Sequence, residues 1–344
     1  MNEASPRSWI SSLSSGQRAA LLAALFTLIA LGVLAFLAKG TSELPVYTRA
    51  AERMALGQEI YRPAEPKPFT YPPFLALPFV PLTLLPGSAH RPLWFLVNLG
   101  ALVWILRLLA RRLRPIFTRE PRAKRAWLFG LLVFLLAARH VLSVFENQSN
   151  DLLVFLAVAL AVDSACRARH LETGIWAGVG TALKATPVLF GPVLLWQRRF
   201  AAAAVLGLVT LALTLSPDWI LPRSEGGSWV VSWYESFLGG IRPGEPASAA
   251  GAWAPWNKLN QNLASTIYRL TTAVSSSGRH LFDVSILNLD ASTRRWLTLA
   301  AQLAILGLLL RVTRPSLTRD LPSEELSLRR LGEGSAILTS MVLL

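Results

Sequence analysis

The chain is short of the residues that soluble enzymes use for chemistry. One cysteine, Cys166, stands in 344 residues. That excludes an internal disulfide, and no second thiol is present to complete a metal site. The four histidines, His90, His140, His170 and His280, are scattered, and no H-E-x-x-H occurs. Walker loops and strand-following glycine fingerprints are missing too, so the usual nucleotide-binding motifs are excluded. Charge is scarce: 16% of residues are charged, against about 25% in an ordinary soluble domain. Acids are the scarcest, 20 Asp and Glu against 34 Lys and Arg, which leaves a net charge of +14. A basic surplus can serve nucleic acid. Here Lys and Arg fall in short runs between apolar segments and form no aromatic-interleaved patch. That is the distribution of a membrane protein obeying the positive-inside rule, and nucleic-acid binding is set aside.

Apolar sequence is what the chain has in abundance. It is 53% hydrophobic, with a mean hydropathy of +0.43. The expected fold class is an all-α multi-span membrane protein. Residues 1–18 form a polar N-terminus with Arg7 and Arg18, expected in the cytoplasm. Residues 19–38 are an uncharged run, long enough for the roughly 20 residues a span needs. A cleaved signal peptide has a shorter apolar core, of about 7–15 residues, so this run is read as a retained span. Further spans are expected over 92–110, 126–145, 151–166, 174–183, 187–197, 200–215 and 296–310, about eight in all within one domain, 19–344. A ninth begins at 335 and reaches only half a span by Leu344, so the reading expects the sequence to be truncated, with more spans to follow.

Two outer loops are expected, 39–90 and 216–293. The first is nearly charge-balanced. Residues 47–57 read as a short amphipathic helix stopped by Gly57. Residues 72–86 are apolar but carry five prolines, each of which removes a backbone donor and kinks a helix. This piece is expected to be broken and half-inserted. Charge supports that. If 72–86 crossed, the basic loop 111–125 would lie outside; if it does not, every basic cluster falls on the cytoplasmic side. The second loop, rich in Trp, Gly, Pro and Ser, is long enough to be a substrate lid or cap.

Three polar constellations fall on the outer side by this topology. Glu43 follows the first span, with Tyr47 four residues on; a solvated interfacial carboxylate is the plain alternative. Glu146-Asn147-Gln148-Ser149-Asn150 joins two spans. Asn150 before Asp151 suits a helix cap as well as it suits substrate contact, whereas capping has no need of Gln148. Lys184 interrupts an apolar stretch beside Pro187. A lysine there either snorkels to the headgroups or meets an anion, and function is the default hypothesis.

Taken in order, S-E-L-P-V-Y (42–47), G-Q-E-I-Y (57–61), F-T-Y-P-P-F (69–74), N-Q-S-N (147–150), A-G-V-G-T-A-L-K-A-T-P (177–187) and N-Q-N-L (260–263) resemble the motifs of bacterial glycosyltransferase family 87. That resemblance implies a GT-C-like glycosyltransferase with periplasmic loops, multi-pass in the bacterial plasma (inner) membrane. It implies transfer of a hexose, mannose-like, with inversion, from a polyprenyl-phosphate sugar donor to a lipid or glycan acceptor on the non-cytoplasmic face. Glu43 becomes the expected catalytic base. Tyr47, Arg49, Tyr71, Gln148, Asn150, Lys184 and Asn260 become the expected substrate-binding residues. No cofactor is expected, and a divalent cation is not indicated. Two positions depart from the family pattern: Glu43 stands where Asp is usual, and Asn147 stands where Gly is usual. The rival classes are a transporter or lipid flippase, which would place its ionisable groups near midplane, and an inactive family member.

Overall fold

The computed structural model describes Phe26, Thr27, Ala30 and Val33, and residues 43–117, 126–248, 251–257, 260–273, 283–315 and 323–343. The polar N-terminus, most of the expected first span and residues 118–125 of the basic loop 111–125 lie outside the described residues. The four described positions in 19–38 are helical. Among the described residues every regular element is helical, with no strand. The chain divides into two compact units, Met1–Pro45 with Leu85–Leu156, and Val46–Leu84 with Ala157–Leu344.

In the first unit, α2 (Gly87–Phe117) and α3 (Ala126–Asn147) carry the apolar runs expected at 92–110 and 126–145. One face of α2 is buried through Trp94, Asn98, Ala101, Ile105 and Leu108, the three-and-four spacing of a helix stripe. Phe95 packs on Phe145 of α3 with ring centroids 5.2 Å apart. The opposite face of α2 leaves Leu96, Trp104 and Leu106 exposed.

The second unit holds most of α1 (Leu44–Ala55). Tyr47, Ala50, Ala51 and Met54 line its buried face. Gly57, at φ +66°, ends the helical stretch as the sequence suggests. The proline-rich segment is broken as expected, into 3-10 turns Pro73–Leu75 and Leu77–Phe79 and the helical turn Val80–Thr83. The helices that follow are α4 (Asp151–Cys166), shared with the first unit, α5 (His170–Leu183), α6 (Phe190–Trp196) and α7 (Phe200–Ile220). After them come α8 (Trp229–Trp233), continued by one π-helical turn at Tyr234–Leu238, α9 (Leu263–Leu270), α10 (Ala291–Val312) and α11 (Ser323–Leu343).

Among the described residues, α5 and α7 pack closely along their length. A Cβ on Gly174 would sit 2.3 Å from the Ala202 carbonyl oxygen, and one on Gly178 would sit 2.8 Å from Val209 Cβ. Glycines four residues apart thus let two backbones approach, as small residues do between membrane helices. Around this seam Val158, Ala161, Val193, Leu206, Leu309 and Ile337 form a common core.

Among the described residues, three helices are long and apolar enough to cross a membrane: Gly87–Leu113, Phe200–Ile220 and Ala291–Val312. Much of their apolar surface faces outward; Leu208, Leu303 and Leu308 are all more than half exposed. Contiguous apolar surface of this kind marks a membrane-facing protein. The sequence reading needs adjusting in three places. The expected span 174–183 lies in a 14-residue helix, which rises only about 21 Å, short of the roughly 30 Å hydrocarbon core. The expected span 187–197 is split between a 3-10 turn, Thr186–Leu189, and the seven residues of α6, because Pro187 denies the helix a donor. The segment expected from 335 begins at Ser323. Its charged first half is helical because Arg330 and Glu333 pair at 2.6 Å and are both buried.

Candidate active site

In the first unit, Glu43 and the segment after α3 meet through the backbone. The Glu43 N–H donates to the Asn147 carbonyl at 2.7 Å, one of the carbonyls a helix C-terminus leaves without an internal donor. This bond sets Glu43 beside the turn 147–150. Asn147 is still helical, and its Nδ2 donates to the Ser143 carbonyl at 2.8 Å and to Ser143 Oγ at 3.0 Å. The left-handed residue is Gln148, at φ +53°. An asparagine at 147 is therefore compatible with the turn, since the backbone demand falls one position later.

Gln148 carries the strongest local signal in this unit. It is 1% exposed and holds a backbone conformation that costs a non-glycine residue about 1 kcal/mol or more. Strain of this sort persists where the surroundings enforce it, and it concentrates at functional sites. One enforcing contact is visible: Trp94 Nε1 donates to the Gln148 carbonyl at 2.9 Å. Nothing in the sequence marks Trp94, since a tryptophan in an apolar helix resembles a lipid-facing residue. Asn150 is fully buried. Its carbonyl accepts the Leu153 and Val154 N–H groups, which start α4. Ser149 Oγ donates to Asp151 at 2.9 Å.

In the second unit, Tyr47 and Tyr71 come together. Their hydroxyls are 3.4 Å apart and their rings meet edge-on at 5.4 Å. Tyr47, wholly buried, also packs on Phe79 at 5.0 Å. The 69–71 backbone is held from two sides. Tyr61 donates its hydroxyl to the Tyr71 carbonyl at 3.0 Å, and Trp233 Nε1 donates to the Thr70 carbonyl at 3.1 Å. Burial, with the nearby Glu59 and Asp218 charges, pushes the Tyr61 phenol well above its ordinary range. It therefore stays a neutral donor.

Arg49 donates to the Lys67 carbonyl at 3.1 Å and lies 3.4 Å from Glu65. Glu65 also receives a short bond from Arg53, 2.5 Å long, which holds its carboxyl below the ordinary range. The two arginines thus tie the loop back onto α1. Glu59, which the sequence reading did not single out, takes Ser232 Oγ and an Arg223 nitrogen, both at 2.8 Å, and the Tyr61 N–H at 2.8 Å. Beside it, Ser224 donates its N–H to the Gly57 carbonyl at 2.9 Å. The two outer loops of the sequence reading are therefore stitched together at Gly57–Tyr61 and Arg223–Ser232. No local pattern could have revealed that, because the partners lie more than 160 residues apart.

Lys184 caps α5 in an extended conformation, and its N–H still donates to the Gly180 carbonyl at 2.9 Å. It is half-buried. Gly180 leaves room for the Pro187 ring, 3.2 Å from where a Cβ would lie. The turn Pro73–Leu75 packs on α5 and α7, so the proline motif and the lysine-bearing helix are neighbours. Asn260 sits elsewhere. Its Nδ2 donates to the Trp253 carbonyl at 2.8 Å, and its own carbonyl accepts from Arg269. It shapes the second loop. Among the described residues, no three His, Cys, Asp or Glu side chains are grouped so as to hold a metal ion.

Comparison with known proteins gives a consistent answer. The sequence model of Glycosyltransferase family 87 matches residues 69–340. That range includes Tyr71, Gln148, Asn150, Lys184 and Asn260, whereas Glu43, Tyr47 and Arg49 precede it. A polyprenol-phosphate-mannose-dependent alpha-(1-2)-phosphatidylinositol pentamannoside mannosyltransferase of Mycolicibacterium smegmatis is 29% identical over 190 residues, 53% of this chain and 44% of that protein. The protein of the same name from Mycobacterium tuberculosis is 32% identical over 150 residues, 44% of this chain and 33% of that protein. Less than half the length of either relative is therefore matched. No solved structure matches the chain.

Proposed function

Since the chain belongs to glycosyltransferase family 87, a membrane family, we propose that it is a glycosyltransferase. It moves a hexose, mannose by likeness to the relatives, from a polyprenyl phosphate to a lipid or glycan acceptor. We place the reaction on the non-cytoplasmic face of a bacterial inner membrane, with the N-terminus inside. Reporter fusions at residues 118 and 225 test that orientation: the first should report cytoplasm, the second the outside.

The observation that carries the reading is the joining of Glu43 to the strained turn that holds buried Gln148 and Asn150. In this mechanism the Glu43 carboxylate takes the proton from the acceptor hydroxyl. The hydroxyl oxygen attacks the anomeric carbon from the face opposite the donor phosphate. As the new C–O bond forms, the bond from the anomeric carbon to the phosphate oxygen breaks. Its electron pair stays with the polyprenyl phosphate, already a stable anion, so little acid catalysis is needed. The amides of Gln148 and Asn150 orient hydroxyl groups. Lys184 is assigned to the phosphate on its chemistry, a point charge that offsets an anion. Tyr47, Tyr71 and Arg49 hold the 65–71 loop in shape.

Glu keeps the charge of the usual Asp but reaches about one methylene further, and the 2.7 Å backbone tie sets where that longer arm starts. The test is an assay in membranes with labelled polyprenyl-phosphate sugar. Glu43→Gln should lose about 10²- to 10⁴-fold in rate, while protein level and donor binding persist. Undiminished transfer by Glu43→Gln would refute the base.

A further inference from the structure

A cavity lies in the large outer segment of the second unit, apart from every residue assigned above to chemistry. It measures about 480 Å³, within the size range of ligand pockets. Its walls are fixed on three sides. Arg269 binds the carbonyls of Pro255, Asn257 and Asn260 at 2.7–3.0 Å, which pins these three residues to α9. Arg295 Nε donates to the Pro243 carbonyl at 3.2 Å. Next to it, Gly244 lies so close to α10 that a Cβ would come within 2.7 Å of the Arg295 carbonyl oxygen. The third wall is the first two turns of α10 itself, ending at buried Thr298.

The chemistry of the lining is cationic and aromatic. Arg294 and Arg295 face the cavity with one carboxylate, Glu245, which lies 3.9 Å from Arg295. That is too long for a tight ion pair, so the second arginine charge is only loosely balanced. Arg294 lies over the Tyr268 ring at 5.2 Å and binds the Leu289 carbonyl, which presents its guanidinium edge rather than leaving it to swing. The free amides of the α10 start are not the feature at issue. Asp290 already caps them, accepting the Thr293 N–H at 3.0 Å. Recognition falls to the side chains.

Position supplies the last element. Arg294 and Arg295 begin a helix apolar and long enough to span a membrane, so the cavity sits at the boundary between span and water. Trp256 in its lining and Trp253 beside it are each about half exposed, as tryptophans are at the headgroup level. Guanidinium forks match phosphate oxygens, and an aromatic belt matches the glycerol and acyl edge beneath them.

We propose that this cavity binds the phosphodiester headgroup of an anionic lipid. The site stands independently of the transfer chemistry assigned to Glu43, and the two can fail separately.

The full chain is reconstituted in nanodiscs of phosphatidylcholine with or without one-fifth phosphatidylglycerol, then extracted into detergent for native mass spectrometry. Wild type should retain phosphatidylglycerol. Arg295→Gln should retain about five- to tenfold less, the effect of one partly exposed charge-assisted contact, and Arg295→Lys should retain an intermediate amount. Glu245→Gln removes the competing carboxylate and should retain two- to threefold more; a misfolded variant cannot produce a gain. Competition with glycerol phosphate separates the sources. Displacement shows that the phosphate ester alone is read, and persistence shows that the lipid is. Equal retention by wild type, Arg295→Gln and Glu245→Gln would overturn the proposal.

Discussion

The glycine seam between α5 and α7 offers the sharpest test of the packing. Gly174→Ala would place a methyl group 2.3 Å from the Ala202 carbonyl oxygen. Carbon and oxygen in close helix–helix contact sit about 3.3 Å apart, so the backbones must part by about 1 Å. Gly178→Ala meets Val209 Cβ at 2.8 Å and the Leu206 carbonyl oxygen at 2.9 Å, a smaller clash, but one that presses in the same direction. Overpacking of this kind costs typically about 1–3 kcal/mol per site, offset by about 1 kcal/mol of helix propensity gained when Ala replaces Gly. Gly174→Ala should therefore destabilise by about 1–2 kcal/mol and Gly178→Ala by less. Gly207, on α7 itself, is the internal control. Nothing lies within 4 Å of its would-be Cβ, so Gly207→Ala should be neutral or stabilising by up to about 1 kcal/mol. Thermal unfolding in detergent, followed by exposure of Cys166 to a thiol dye, ranks the three. If Lys184, which follows α5, serves the donor phosphate as proposed, transfer rate should follow the same order, since a 1 Å displacement of a positioned group costs about 10²-fold. If Gly174→Ala and Gly207→Ala melt alike, the seam does not have the closeness described.

Other expectations follow from the loop and the strained turn. Trp94→Phe removes the indole N–H that the Gln148 carbonyl accepts; it should cost about 1 kcal/mol or more and speed hydrogen exchange at 145–150. Glu65 has a carboxyl held below its ordinary range by Arg53. Its contribution is thus present above the ordinary carboxylate range and lost as pH falls through the lowered value. Proteolytic cutting in 56–72 should rise on that acid limb, and Glu65→Gln should cut readily at every pH. Glu59→Ala strips the shared acceptor of Ser232, Arg223 and the Tyr61 N–H, so the 222–228 segment should become protease-sensitive while α10 is unaffected. An unchanged digest would remove Glu59 from the role of clamp.

The elements that sequence reveals are those bounded by local chemistry. Asp151–Cys166 was readable to the residue, because an apolar run is bracketed by Asn150-Asp151 and by Arg167. Gly57 was readable as a stop, and the prolines of 72–86 as breaks, since both act through their own backbone. The first half of α11 was not readable. Its charges look solvated until Gln197 is seen bonding Glu333 at 3.1 Å and Arg330 closing the pair at 2.6 Å. The same divide runs through the candidate site. Gln148 was legible as a polar residue with no capping duty, but its left-handed backbone and its tie to Trp94, 54 residues earlier, are properties of the packed chain. Asn260 resembled a substrate ligand, and its side chain is found bonded to the Trp253 carbonyl, shaping its own loop.

The buried pair in α11 also bears on how the protein is assembled in a cell. A charged side chain at the centre of a helix entering the bilayer carries a penalty of about 2.5–3.5 kcal/mol on insertion scales, and α11 holds Glu324, Glu325, Arg329, Arg330 and Glu333 in its first eleven residues. Such a segment is a poor client for an insertion machinery that sorts by hydropathy alone. Its acceptance depends on a docking place, and the docking groups, Gln197, which bonds Arg330 and Glu333, and the Val312 carbonyl, which accepts from Arg329, emerge from the ribosome before it. The helix is thus expected to dock after the bundle it packs on has formed. Substituting Gln197 should show first as poor yield and degradation of newly made chains, well before any defect in the finished protein.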